Sequence, residues 1–253
     1  MPPRVPIRWR VQAVGLAAAL QFLTVAPPIV RRPFADDELG AAVGWFPVVG
    51  LLIGLLLTGA RTALQLLGSP LLSAAMTLAI WVVLTGALHL DGLLDACDGL
   101  FGGHTPDRRL EIMRDHHIGA FALAGGVLLL LAKFAALSEP NPWRLFALVP
   151  ALARGGLSLA VITQPYARPQ GTGAALKRHA GAPQAWLAIL TTAALALGLT
   201  GWRGFAMLLA TGLVQLAVVR LARAKVGGLT GDLYGAIVEL GELTALLGAT
   251  LLG

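Results

Sequence analysis

The sequence predicts an all-α fold: a polytopic membrane helix bundle of about seven transmembrane helices plus an N-terminal interfacial or re-entrant segment. Three observations carry that reading. Apolar runs recur at close to the ~20 residues a helix needs to cross a hydrocarbon core of roughly 30 Å. Only 13% of the 253 residues are charged and 57% are hydrophobic, with a mean hydropathy of +0.76, whereas an average soluble domain is roughly 25% charged. Lys and Arg gather in alternate connections between the runs, as the bias of basic residues toward the cytoplasm requires.

Arg4, Arg8 and Arg10 precede an apolar stretch from Val11 to Val25, the outline of a secretory signal peptide. No small-x-small cleavage site follows, and Pro27 and Pro28 close the run, so residues 11–29 read as a retained segment that lies in the interface or dips in and returns. The spans then fall at about 43–67, 71–88, 118–137, 145–164, 183–200, 204–221 and 234–252. The connections at 89–117, 165–182 and 220–231 hold nine of the 19 Lys and Arg residues and follow every second span, so they share one face, expected to be cytoplasmic. The whole chain, residues 1–253, reads as a single integral membrane domain with its catalytic segment at 89–117 on that face.

The net charge of +6 comes from short basic clusters between apolar runs, not from a stripe, which argues against a nucleic-acid partner and for the lipid bilayer. Cys97 is the sole cysteine, so no intrachain disulfide forms. Its place within a helix suits packing better than chemistry.

Chemistry concentrates between His89 and His117. The stretch HLDGLLDACDGLFGGHTPDRRLEIMRDHH contains Asp91, Asp95, Asp98, Asp107, Glu111 and Asp115, six of the chain's 13 acidic residues, and four of its five histidines. Spacings of four and three put Asp91, Asp95 and Asp98 on one face of a helix, where like charges repel unless a cation sits among them. Mg²⁺ binds through a few carboxylates together with phosphate oxygens and water, so a phosphate-bearing substrate is expected there. Asp107, Glu111 and Asp115 form a candidate second row, brought to face the first by a turn at Gly99, Gly102 and Gly103. Arg108, Arg109 and Arg114 are placed to engage phosphate. His89, His116 and His117 suit metal, substrate or plain packing, and His104 reads as a loop residue.

Two further polar islands share this face. GGLTGDLYGAIVELGE, at 227–242, holds Asp232 and places Glu239 and Glu242 in an apolar span, where carboxylates are costly without partners. Arg154, the segment QPYAR at 164–168 with Arg168, and Lys177, Arg178 and His179 add basic and aromatic groups. One anionic, nucleotide-bearing ligand touching all three islands would explain them together.

At these residues the chain resembles the cobalamin synthases, or adenosylcobinamide-GDP ribazoletransferases. The resemblance runs through LQFLTVAP (20–27), FPVVGLLIGLLL (46–57), HLDGLLDACDGLFGG (89–103), RRLEIMRDHHIGAFA (108–122) and GGLTGDLYGAIVELGE (227–242), nearly the full chain in order. It implies a multi-pass enzyme of the bacterial inner membrane, with its active site facing the cytoplasm and Mg²⁺ as cofactor. Its substrates would be adenosylcobinamide-GDP and α-ribazole, or the 5′-phosphate of the latter, and GMP would be released. Asp91, Asp95, Asp98 and Asp115 would then hold the metal. Asp115 is the first candidate for general base and Asp232 the second. Arg108, Arg109, Arg114, Arg154, Arg168, Lys177, Glu239 and Glu242 would contact substrate. Self-association, or association with other nucleotide-loop enzymes, is left open. Relatives often carry Ser-Arg where this chain has His116 and His117, so Arg114 is expected to take any arginine–phosphate role there.

Three other readings compete. A CDP-alcohol phosphotransferase carries an Ala-Arg dipeptide and a closing DxxxD that are out of register here. A membrane aromatic prenyltransferase would release pyrophosphate. A cation transporter would hold its carboxylates near the bilayer midplane.

Overall fold

The structure, a computed structural model, describes residues 8–115, 117–168 and 171–253. Apart from a parallel bridge between Tyr166 and Leu229, the described residues form only helices and turns. The helices are α1 (Arg8–Leu23), α2 (Asp36–Leu64), α3 (Pro70–Leu84), α4 (Leu88–Gly102), α5 (Pro106–Ile112), α6 (Ala120–Ser138), α7 (Trp143–Thr163), α8 (Thr172–His179), α9 (Ala182–Thr200), α10 (Trp202–Val226) and α11 (Gly231–Leu251). Six of them, α2, α6, α7, α9, α10 and α11, are long and apolar enough to cross a membrane. Counting the bent pair α3–α4 as one more gives the expected seven.

The expected continuous span at 71–88 is corrected. α3 stops at Leu84, and α4 leaves it at 88°. The break is built by a C-terminal cap in which Gly86 and Ala87 adopt left-handed backbone, with φ of 60° and 56°. Their amides return to the carbonyls of Val83 and Val82 at 3.0 and 2.9 Å. Ala87 carries a side chain in a region that favours glycine. The turn is tied from outside by the Val25 amide, which donates to the Leu84 carbonyl at 2.9 Å. Residues 89–102, which the sequence had suggested belong to a connection, are therefore the helix α4. α1 is too short to span and lies along α2, with Phe22 stacked on Phe46 and Gln12 accepting from the Trp45 indole at 3.0 Å.

Backbones approach closely where residues are small, the usual source of helix association in lipid. Gly50 and Gly54 of α2 lie against Pro150, Ala151 and Ala147 of α7, with no room for a side chain. At the bundle centre, Lys133 of α6 meets Glu239 at 2.5 Å and Glu242 at 2.7 Å, both on α11, and Arg154 of α7 meets Glu242 at 2.5 Å. All four are buried, two positive and two negative, so the group is neutral as a whole. A lone charge there would be costly. The network joins α6, α7 and α11 through directional bonds that apolar contacts do not supply.

Removing one member strands the others. Lys133→Met is expected to destabilise the protein by about 3 kcal/mol, read as a lowered melting temperature in detergent. The double variant Lys133→Met/Glu239→Gln is expected to regain part of that loss, because it removes a negative charge along with the positive one.

Candidate active site

The site is built where α4 meets α11. A side-chain carbon on Gly92 would sit 2.9 Å from the Asp232 carbonyl, and one on Gly235 would sit 2.6 Å from the His89 carbonyl. The two helices thus touch backbone to backbone, which brings Asp91, next to Gly92, up to the first turn of α11. Thr230 caps that turn, accepting from the Leu233 amide at 3.3 Å and donating its hydroxyl to Asp232 Oδ2 at 3.1 Å. The segment after α7 joins the same corner. Leu229 donates to the Pro165 carbonyl at 2.8 Å and accepts from the Ala167 amide at 2.7 Å, and this pairing places Arg168 Nη2 2.9 Å from Asp232 Oδ2.

A cavity of about 270 Å³ opens at this junction. Its charged lining, Asp91, Asp232 and Arg168, comes from α4, α11 and the segment after α7. Its apolar lining, Phe22, Phe46, Leu157, Val161 and Leu176, comes from α1, α2, α7 and α8. Tyr166 and Tyr234, the chain's only two tyrosines, both line it with ring centroids 5.9 Å apart. Burial raises the Tyr166 pKa above the usual phenol range, so Tyr166 is protonated at neutral pH. Buried and without hydrogen-bond partners, Tyr234 Oη and His89 Nε2 lie among the lining residues. Such groups are costly in isolation and are suited to a polar ligand.

The three polar islands thus converge, but not through every expected residue. Asp98 turns away from the cavity to cap α6, accepting from the Gly119 amide at 2.6 Å and the Ala122 amide at 2.9 Å. Asp95 is half-buried one turn along α4 from Asp91. The second acidic row does not form a continuous helical face, because α5 ends at Ile112. Asp115 lies in the exposed connection that follows and meets His117 Nδ1 at 2.5 Å, a bond that raises the His117 pKa above its ordinary value. Among the described residues, no group of three or more acidic, His or Cys side chains is arranged around one point that would hold an ion. The four-carboxylate set Asp91, Asp95, Asp98 and Asp115 is therefore not assembled, and the cavity offers Asp91 and Asp232 instead. His116 lies outside the described residues.

The basic residues also divide. Arg168 lines the cavity. Arg108 pairs with Glu111 at 2.6 Å on the surface, Arg114 is exposed beside it, and Arg109 donates to the Lys225 carbonyl at 3.3 Å. Lys177 closes the end of α7 through the Val161 and Ile162 carbonyls, and burial lowers its pKa. Arg154, Glu239 and Glu242, expected at the substrate, instead form ion pairs inside the bundle, Lys133 with both glutamates and Arg154 with Glu242. Tyr166 belongs to the aromatic part of the QPYAR island expected at the ligand, whereas Tyr234, Phe22 and Phe46 occur only within motifs and carry no expected role of their own. The scarcity of tyrosine in so apolar a chain was the one signal that could have singled out the two tyrosines.

Comparison with known proteins agrees with the motifs. The family described as cobalamin-5-phosphate synthase matches residues 15–250. A relative from Pseudomonas paraeruginosa, named adenosylcobinamide-GDP ribazoletransferase, is 43% identical over 251 residues, covering 94% of this chain and 98% of its own length. Proteins of the same name from Desulfitobacterium hafniense and Pseudomonas aeruginosa are 40% and 42% identical, over 91% and 94% of this chain and 94% and 98% of their own lengths. No solved structure matches the chain.

The α4–α11 contact makes two glycines behave differently. Gly92→Val is expected to cost about 2 kcal/mol through overpacking and to lower the melting temperature in detergent. Gly231→Ala, at a position with nothing within 4 Å of the added carbon, is expected to leave the melting temperature unchanged.

Proposed function

The chain belongs to the cobalamin-5-phosphate synthase family, and on that premise we propose that it is an adenosylcobinamide-GDP ribazoletransferase working at the α4–α11 cavity. The single observation that carries the location is that Asp91, Asp232 and Arg168 line one cavity together. The transfer is a phosphoryl displacement. A ribazole hydroxyl attacks the phosphorus attached to the cobinamide, a new P–O bond forms, the bond to the guanosine phosphate breaks, and GMP leaves with the bonding electrons. The hydroxyl proton needs an acceptor, and Asp232 is the carboxylate placed for it, held by Arg168 and Thr230. Asp115, the first candidate from sequence, lies outside the cavity lining and is set aside. Arg168 supplies positive charge toward the diphosphate oxygens.

The cavity, at about 270 Å³, is near the lower end of small-molecule sites, roughly 300–1,000 Å³. That size suits one nucleoside-sized group rather than a corrin ring. Its aromatic and aliphatic wall fits the flat, largely apolar benzimidazole of the ribazole, and the hydroxyls of the attached ribose suit the unpartnered Tyr234 Oη and His89 Nε2. The corrinoid then stays outside, with only its diphosphate reaching in.

The donor set fits Mg²⁺, which is ordinarily held by one or two carboxylates and completed by substrate phosphates and water. Asp91 would hold it, with Asp95 close by on α4 and Asp232 left to take the proton. When bound, the ion would neutralise charge on the phosphoryl oxygens. The basic bias of the connections on the cavity's side of the bundle supports an orientation with that side toward the cytoplasm, in a bacterial inner membrane.

The test is GMP release by purified, detergent-solubilised protein given adenosylcobinamide-GDP, α-ribazole and Mg²⁺. Asp232→Asn is expected to lower the rate a hundredfold or more, as is common for groups that act on the transition state, and Asp91→Asn to raise the Mg²⁺ concentration required. Asp115→Asn is expected to change the rate by less than about threefold. A large loss in Asp115→Asn with a near-normal Asp232→Asn would move the site to the exposed connection.

A further inference from the structure

A second cavity, of about 300 Å³, lies at the opposite end of the bundle, between the end of α2, the start of α3 and the end of α6. Arg61 lines it and is 7% exposed. Its Nη2 donates to the Leu137 and Glu139 carbonyls at 3.0 and 2.7 Å, and its guanidinium lies 5.3 Å from the centre of the Phe146 ring. Among the described residues no carboxylate forms an ion pair with it. Glu139, on the rim, gives only its backbone oxygen, and its side chain belongs to an exposed residue. This differs from the bundle centre, where Lys133 and Arg154 face Glu239 and Glu242. A buried cation balanced only by carbonyl dipoles and a ring retains an uncompensated charge.

Beside it, the Ser73 hydroxyl is 2% exposed, lines the same cavity and has no hydrogen-bond partner. Ser69 and Pro70, which open α3, also line the cavity, so the positive end of that helix dipole lies at it as well. Leu66, Leu67, Leu71 and Leu72, interleaved in sequence with the lining residues, are 88%, 56%, 61% and 47% exposed. A cation, an unpartnered hydroxyl and a helix start thus share one segment of chain with leucines left largely exposed.

We infer that this cavity binds the phosphate of an anionic phospholipid, whose acyl chains cover the leucines. The net negative headgroup supplies the counter-charge that Arg61 lacks and accepts a hydrogen bond from the Ser73 hydroxyl. The lipid so held clamps the ends of α2, α3 and α6. Inorganic phosphate shares the anionic chemistry but leaves the leucines uncovered, and that difference separates the two sources.

The experiment uses full-length protein stripped of lipid in detergent and reads the melting temperature on adding phosphatidylglycerol, phosphatidylcholine or inorganic phosphate. Phosphatidylglycerol at roughly a hundred times its Kd is expected to raise it by about 5 °C, and the other two are expected to have little effect. Arg61→Gln is expected to abolish the rise. Ser73→Ala, which removes only the unpartnered hydroxyl and leaves the Arg61 bonds in place, is expected to at least halve it, and it decides the matter alone if the arginine variant does not fold. An equal rise with phosphatidylcholine or phosphate, or an undiminished rise in Ser73→Ala, would overturn the proposal.

Discussion

The α4–α11 backbone contact at Gly92 and Gly235 is the constraint on which the site depends. Each glycine fits because the other helix's backbone occupies the space a side chain would take. The contact holds Asp91 of one helix and Asp232 of the other on a single cavity. The 88° break before α4 serves the same end, since a straight continuation of α3 would carry the acidic residues along the span instead of across to α11. Two residues with left-handed backbone and a bond from Val25 maintain that break. Local strain at 86–87 is thus offset by tertiary packing around it, a pattern common next to functional sites.

Charge is handled in three ways within the same molecule. At the bundle centre Glu239 and Glu242 each face a cation, and the group is neutral as a whole. At the cavity, Asp232 shares one arginine, and Asp91 lies nearby on an exposed turn of α4. The first arrangement specifies which helices meet, and the second is suited to a ligand that arrives with its own charge. Asp98 belongs to a third use, in which a carboxylate replaces the missing bonds of a helix start.

Much of this was legible in the residues themselves. Lengths of apolar runs located α6, α7, α9 and α11 to within three positions, because the bilayer imposes a length on each, while the charged start of α2 at Asp36 and the basic end of α10 at Val226 run beyond the apolar stretches. The shared face of the three polar islands followed from the alternation of basic connections. What did not follow was pairing. Asp98 has the same spacing as Asp91 and Asp95, and only the position of Gly119 diverts it. Glu239 and Glu242 look like substrate groups as long as Lys133, a single lysine within an apolar run, is not known to face them. The break at 85–87 was also hidden, since a threonine, a glycine and an alanine at the end of an apolar run are compatible with an unbroken helix.

The central claim is that reaction takes place at the α4–α11 junction and not in the exposed connection around Asp115. Iron-directed backbone cleavage tests it most directly. Fe²⁺ replaces Mg²⁺ in the purified protein, ascorbate and peroxide are added, and the fragments are mapped. The account expects cuts near residues 91–95 and near 231–232 in the same sample, both suppressed by excess Mg²⁺. Cuts confined to 107–115, with α11 intact, would contradict it.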